Sequence, residues 1–335
     1  MRHLSTLSQI INREEHAYPE ATGELSALLN SIALGVKIIS QIVATAGFKG
    51  LYGYSDKVNI HGEVTRTLDE EAHAVLEDVL SASGHFGLLV SEERDAVIPT
   101  KLNSNHRGGV GKYVVAFDPL DGSSNIGTNI PVGTIFSIFK RKELTGEPCE
   151  SDYLQSGSNL VAAGYSIYGA KTSFVYSTGQ GVMDFTLDPT IGEFILTGEN
   201  LKIPAKGSIY SVNEGYRNLF TTSMLAFIES FKASNPERKT PYTARYVGSL
   251  VADFDRTLRN GGIFLYPKNS KHPEGRLRLL YECIPLGFIM EQAGGMAFHG
   301  LQRLTNIVPT GIHQRSSFVA GSPTEMSWYR EEVLE

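Results

Sequence analysis

Residues 111–126 read GKYVVAFDPLDGSSNI. The apolar run YVVAF (113–117) predicts a buried strand, because β-branched and aromatic residues suit a covered, pleated surface. Asp118-Pro119-Leu120-Asp121 follows at its C-terminal end, the edge at which ligand sites of α/β sheets open. Gly122-Ser123-Ser124-Asn125 then supplies small residues whose backbone N–H groups can cradle a phosphate. A surface turn would account for the Asp-Gly pair, but not for the whole string after a buried apolar run.

Upstream, FGLLV (86–90) ends in Ser91-Glu92-Glu93, so two strands each deliver a pair of acids at the same kind of end. One acid pair after a strand is most often a solvated loop; the second segment is what makes the pairing specific. Adjacent carboxylates repel unless a cation neutralises them, and all-oxygen ligation selects Mg²⁺ or Mn²⁺ over zinc. A third acid, Glu282, opens an apolar helix that ends in Ala293-Gly294-Gly295. Alone it would read as an acid favoured by the helix dipole. With the other two segments it becomes a candidate ligand.

Composition narrows the class. The 335 residues predict about two domains, with ordinary globular proportions of 41% hydrophobic and 20% charged residues. Thirty Lys+Arg against 36 Asp+Glu give a charge of −6, which argues against a general nucleic-acid or membrane-surface binder. Cys149 and Cys283 form neither a zinc pattern nor a disulfide framework, as in a reduced intracellular protein. The N-terminal MRHLSTLSQI lacks a signal peptide's apolar stretch. The most apolar segment, 25–48, places Leu25, Leu28, Leu29, Ile32, Val36, Ile39 and Val43 at helical spacing, interrupted by Asn30, Lys37, Ser40 and Gln41. That is a core-packed amphipathic helix, not a membrane span. A soluble, cytoplasmic protein with neither nucleic acid nor membrane as partner is expected.

Along the chain no repeat is visible. The first 50 residues read as mainly helical, 51–62 as a glycine-rich loop, and a helix begins near Thr67. Strand-like runs follow at 86–90, 113–117, 133–139, 159–168, 173–177, 182–187, 193–197 and 208–212. The second half predicts helices over 219–231 and 248–258, a strand over 262–267, a helix over 279–292 capped by Gly294-Gly295, and a strand over 316–322. Ser322-Pro323-Thr324-Glu325 reads as an N-cap, a proline in the first turn and a capping glutamate. The sum is a mixed α/β protein with sheet in both halves and a soft boundary near residue 200.

The acid pair, the DPLDGSS string and the Glu282 helix with its Ala-Gly-Gly end together are the signature of the lithium-sensitive, magnesium-dependent sugar phosphatase superfamily. Across nearly the whole chain the sequence resembles class I fructose-1,6-bisphosphatase. TGELSALLNS (22–31), LVSEE (89–93), NLVAAGYSIYG (159–169) and DPTIGEFIL (188–196) carry the likeness in the first half. NEGY (213–216), RYVGSLVAD (245–253), GGIFLYP (261–267), LRLLYEC (277–283) and IHQR (312–315) carry it in the second.

The resemblance implies a layered αβαβα fold with two sheet-containing halves. Residues 1–200 would hold the metal acids and an AMP pocket, and 201–335 the sugar-phosphate site. The implied reaction is hydrolysis of the 1-phosphate of fructose 1,6-bisphosphate by metal-activated water, in gluconeogenesis or a related sugar-phosphate cycle, within a homotetramer. Glu92, Glu93, Asp118, Asp121, Glu282 and the Leu120 carbonyl would hold two or three Mg²⁺. Glu93 and Asp69 would orient and deprotonate the water, while Glu63, on the 51–69 loop, closes over the metals. Asp121, Gly122, Ser123, Ser124 and Arg278 would face the 1-phosphate. Asn213, Tyr216, Tyr246, Tyr266 and, from a neighbouring subunit, Arg245 would form the 6-phosphate pocket, donors suited to a dianion that is held but not hydrolysed.

Some positions depart from the family. Arg276 stands where the family has a lysine, and with 284–288 it keeps sedoheptulose 1,7-bisphosphate as the alternative substrate. Thr22, Gly23, Glu24, Lys112 and Tyr113 match the pocket for the inhibitor AMP, but Lys140 replaces an arginine there, next to Arg141. Only Cys149 lies where chloroplast relatives carry a cysteine-bearing insertion, so redox control is not implied. Inositol-type monophosphatases share the metal motif but lack NEGY and RYVGS. A silent sugar-phosphate or AMP-binding regulator would need a broken acid set, and this set is complete.

Overall fold

The structure is a computed structural model that describes residues 4–17, 21–49, 54–58, 64–100, 110–144 and 146–333, with 54–58 and 64–66 described as backbone only. Glu63 lies outside the described residues. Helix α1 (Leu7–Glu15) opens with a capping box between Thr6 and Gln9, and α2 (Glu24–Lys49) and α3 (Thr67–Ser83) follow. α2 is long and apolar enough to cross a membrane by length and composition. Its face of Leu28, Leu29, Ile32, Val36 and Ile39 is nevertheless buried in the core that α3 and the first large sheet complete.

Between α2 and α3, β1 (Tyr54–Val58) and β2 (Val64–Arg66) pair antiparallel. The loop expected over 51–62 therefore contains a strand. YSDKV has no alternation of apolar and polar residues for a sequence pattern to catch.

The first large sheet has eight strands: β3 (Phe86–Ser91), β4 (Ile98–Pro99), β5 (Tyr113–Asp121), β6 (Val132–Lys140), β7 (Leu160–Tyr168), β8 (Thr172–Ser177), β9 (Met183–Asp188) and β10 (Glu193–Gly198). Their spatial order is β10-β9-β8-β7-β6-β5-β3-β4. A short helix, α4 (Glu150–Tyr153), interrupts the series. β5 shows why the sheet is covered on both sides: Val115 and Phe117 pack towards α2 and α3, while Val114 and Ala116 pack the other way.

The second half supplies β11 (Ile209–Ser211), α5 (Thr222–Ser230), β12 (Thr243–Ala244), α6 (Leu250–Asn260) and β13 (Ile263–Tyr266). It continues through β14 (Leu277–Arg278), α7 (Ile284–Gln292), β15 (Met296–His299), β16 (Gln302–Arg303), β17 (Arg315–Ser316), β18 (Phe318–Gly321) and α8 (Pro323–Glu332). Six strands form a sheet of order β12-β11-β13-β18-β15-β16, and β14 pairs with β17 alone. Phe254 and Leu258 of α6 and Ile284, Leu286 and Ile289 of α7 fill the space between the two large sheets. Phe227 and Ile228 of α5 and Met326 and Tyr329 of α8 cover the outer face of the second. The layers run αβαβα.

Two local expectations need correction. The helix expected over 279–292 begins as a π-helical turn, Leu279–Cys283, before α7. α7 does end as expected: Gly294 has φ +88°, and the N–H groups of Gly294 and Gly295 bond the carbonyls of Glu291 and Met290. Before α8 no capping box forms. Glu325 is fully buried and accepts from Gly207 N–H at 3.0 Å and the Tyr242 hydroxyl at 2.6 Å, while Ser322 Oγ accepts from Gly262 N–H at 3.0 Å. β15 was not expected from the sequence at all.

Candidate active site

Neighbours in the eight-stranded sheet are antiparallel except β3 and β5, which run parallel with Ser91 opposite Phe117. Both strands therefore arrive at the same edge, and Glu92 N–H bonds the Phe117 carbonyl at 3.2 Å. β5 runs on through its acids, so Asp118 sits inside the strand, and the register with β6 shifts between Asp118 and Asp121. The π-helical turn brings in the third acid from the other half. Glu92, Asp118 and Glu282 each offer a carboxylate oxygen, and these oxygens lie within 4.8 Å of one another.

The Arg278 guanidinium and backbone N–H offset part of the charge at Glu282, but the acids still outweigh it. Asp118 is 2% exposed and Glu282 5%; burial, then the charge of Glu92, pushes both carboxyls well above the ordinary carboxylate range. Burial also raises Asp121, against the pull of the Val251 N–H that it accepts at 3.0 Å, to about 7. Buried like charges of this kind are costly unless paired with a cation. The donors are all carboxylate oxygens, they converge, and they fit a hard divalent ion.

Beside the cluster stand Glu93 and Asp69, which the structure brings together. Burial, then the charge of Asp69, raises Glu93 to about 8. Its Oε2 is buried with no hydrogen-bond partner among the described residues. Asp69, in the first turn of α3, accepts from Ser123 Oγ at 3.2 Å, which ties α3 to the loop after β5.

Two histidines that the sequence reading missed brace these acids. His73 is fully buried; its Nε2 faces the Glu77 carboxylate at 3.0 Å and its Nδ1 the Ser91 hydroxyl at 2.8 Å. Ser91 Oγ in turn accepts from Glu93 N–H at 3.3 Å. His313 Nε2 meets the Arg94 carbonyl at 2.9 Å and its Nδ1 the Tyr281 hydroxyl at 2.7 Å. The spacing Asp69, His73, Glu77 on one helix face could have flagged the first; a lone histidine at 313 carries no such signal.

The acids open into a cavity of about 300 Å³. Glu92, Asp121, Gly122, Ser124 and Glu282 line it together with Asn213, Tyr216, Tyr246, Tyr266, Arg276 and Arg278. Gly122 takes a left-handed φ of +76°, and a Cβ there would lie 3.1 Å from Ser249 Oγ. Burial raises the Tyr246 and Tyr266 hydroxyls above their ordinary value, so both keep their protons and remain donors. Arg278 is 6% exposed and donates to the Arg276 carbonyl at 2.8 Å. Arg245 is exposed and does not line the cavity of its own chain. Ser249, Asp253 and Arg315 do line it and had not been singled out.

A second cavity, of about 360 Å³, lies under the start of α2, lined by Thr22, Gly23 and Tyr113 with Glu14, Glu15 and apolar neighbours such as Ile11 and Leu29. Lys112 pairs with Glu24 at 2.6 Å and donates to the Thr22 hydroxyl at 3.3 Å. Arg141 is buried in an ion pair with Asp152 at 3.2 Å, whereas Lys140 is exposed.

Comparison with known proteins agrees over nearly the whole length. Residues 5–199 match the family description "Fructose-1-6-bisphosphatase, N-terminal domain" and residues 203–333 its C-terminal counterpart. The chain is 45% identical over 327 residues to the class 1 fructose-1,6-bisphosphatase of Chloroherpeton thalassium, covering 97% of this chain and 92% of that one. It superposes on the crystal structure of Leishmania major fructose-1,6-bisphosphatase in holo form with a TM-score of 0.90 and 38% identity, covering 98% of this chain and 99% of that one.

Proposed function

The chain belongs to the fructose-1,6-bisphosphatase family, and on that footing we propose how its own residues carry the reaction. It is a phosphoric monoester hydrolase that converts fructose 1,6-bisphosphate to fructose 6-phosphate and phosphate. The observation that carries the assignment of roles is the convergence of Glu92, Asp118 and Glu282 on one point beside a wall of tyrosines and arginines.

The family is metal-dependent, and the residues placed to hold divalent ions here are Glu92, Glu93, Asp118, Asp121, Glu282 and the Leu120 carbonyl, with two or three Mg²⁺ as the proposed load. When bound, such ions supply Lewis acidity towards the phosphate and compensate its charge. Glu93, beside Asp69 and with Oε2 uncommitted among the described residues, is placed to take the proton of the attacking water. Asp69 holds that water in line with it, its own orientation fixed by Ser123. Arg278 and the backbone of Gly122, Ser123 and Ser124 receive the 1-phosphate. Asn213, Tyr216, Tyr246 and Tyr266 receive the 6-phosphate, which must be gripped out of reach of the acids. Arg245 completes that grip from a neighbouring subunit, and its exposure on its own chain supports this.

Glu63 closing over the site, the division into halves at residue 200, a homotetramer and a soluble cytoplasmic setting belong to the same reading. AMP inhibition through Thr22, Gly23, Glu24, Lys112 and Tyr113 does too, supported by the cavity at the start of α2. The 45% identity to a class 1 fructose-1,6-bisphosphatase over nearly the whole chain favours the six-carbon substrate. Phosphate release from fructose 1,6-bisphosphate, sedoheptulose 1,7-bisphosphate and inositol monophosphate compares the readings directly: preference for the first is expected, and equal turnover of the seven-carbon ester would overturn it.

A further inference from the structure

Asp253, in the first turn of α6, is a buried carboxylate, 1% exposed, in the lining of the substrate cavity. Its two oxygens accept from donors on three different segments. Val247 N–H reaches both, at 3.0 and 3.1 Å, and Gly248 N–H reaches Oδ2 at 2.8 Å. Ser211 Oγ donates to Oδ1 at 2.9 Å, and Arg256 Nη2 to the same oxygen at 2.7 Å. The 245–248 turn bears Arg245 and Tyr246; Ser211 ends the strand that leads into Asn213. Gly248 is held from its other side as well, its carbonyl accepting from Asn125 Nδ2 at 3.0 Å, in the loop after β5.

We propose that Asp253 is a positioning residue for recognition of the terminal phosphate: it fixes the Tyr246 turn and the Asn213 strand end in one geometry, without itself contacting substrate. The inference rests on the reading of Asn213, Tyr216, Tyr246 and Tyr266 as the 6-phosphate wall. The physical reason is the number of donors. A carboxylate offers two acceptor atoms and about four lone pairs, which suits two backbone N–H groups, a hydroxyl and a guanidinium at once. A negative charge near an anion site would repel the ligand unless its oxygens were turned to other donors and its charge paired. Here Arg256 pairs it and the backbone donors occupy it. An asparagine has the same shape but only one acceptor oxygen, and its amide would meet an N–H head on.

The test is Asp253→Asn, assayed for KM of fructose 1,6-bisphosphate and for inhibition by each product separately. KM and the inhibition constant of fructose 6-phosphate are expected to rise about tenfold, the size of losing one or two hydrogen bonds to a charged group. The inhibition constant of inorganic phosphate and kcat are expected to stay within about twofold, since neither depends on the terminal-phosphate wall. Ser211→Ala, which removes one donor and leaves the carboxylate, is expected to shift the same two constants in the same direction by less, and it serves if Asp253→Asn does not fold. Asn213→Ala is the control on the wall. Changes in all constants alike, or in none, while Asn213→Ala weakens fructose 6-phosphate alone, would overturn the role of Asp253. If Asn213→Ala also fails to separate the two products, the 6-phosphate assignment itself falls.

Discussion

His313 donates its Nε2 proton to the carbonyl oxygen of Arg94 at 2.9 Å. A carbonyl can only accept, so the proton must sit on Nε2; burial lowers the pKa of His313 and keeps the ring neutral, which leaves Nδ1 to accept from the Tyr281 hydroxyl. Arg94 follows Glu93 and Tyr281 precedes Glu282, so one imidazole spans the two turns whose acids must share cations.

That bridge predicts the effect of opening it. His313→Ala is expected to raise the Mg²⁺ concentration needed for half-maximal activity by about ten- to a hundredfold, the usual size of losing an outer support of a metal site. KM for the sugar should change little. A magnesium titration of the variant measures it, and an unchanged midpoint would remove His313 from the metal site's support.

Asp118 is a carboxyl buried among other acids, which resists ionisation without a cation, so Asp118→Asn should act in opposite directions on stability and activity. Without metal the variant is expected to melt at a higher temperature than the parent at neutral pH, because the fold no longer holds a carboxyl against ionisation there. With metal it should turn over more than about a hundredfold more slowly. Melting curves with and without Mg²⁺, set beside the rates, check both.

The raised acids give the metal-free protein a pH dependence of definite sign. Glu93 at about 8 and Asp121 at about 7 hold protons in the folded state that the unfolded chain releases at ordinary carboxylate pKa values. Their contribution is most favourable below the unfolded values and is lost as pH rises through the folded ones. Stability without metal should therefore fall between about pH 4.5 and 8, and Mg²⁺ should raise the melting temperature more at pH 8.5 than at pH 6. A magnesium effect that does not depend on pH would contradict the assignment.

The second cavity carries its own test. AMP is expected to inhibit, and Lys112→Met, which removes the ammonium paired with Glu24, should weaken that inhibition while leaving uninhibited activity in place. Activity unchanged at saturating AMP would take the nucleotide out of the account.

How much of this was legible in the sequence differs from element to element. β5 and the acids after it were readable because a continuous apolar run followed at once by Asp-Pro-Leu-Asp-Gly leaves a local mark. The parallel pairing of β3 with β5 was not, since strand direction is decided by a connection that carries no apolar pattern. The π-helical turn at 279–283 escaped because LLYEC is buried all round, and a segment without a polar face has no period to measure. Glu325 sat in a capping pattern but is bonded to distant Gly207 and Tyr242, a tertiary partnership that overrode the local one.

The central claim is that the acids gathered where β3 and β5 end carry metal-assisted hydrolysis of the sugar bisphosphate. Phosphate release from fructose 1,6-bisphosphate, followed as Mg²⁺ is added to the parent and to Asp118→Asn, tests it most directly. The account predicts a rate that rises from nothing with Mg²⁺ in the parent and stays near the baseline in the variant. Full turnover without added metal after chelation, or an unimpaired variant, would contradict it.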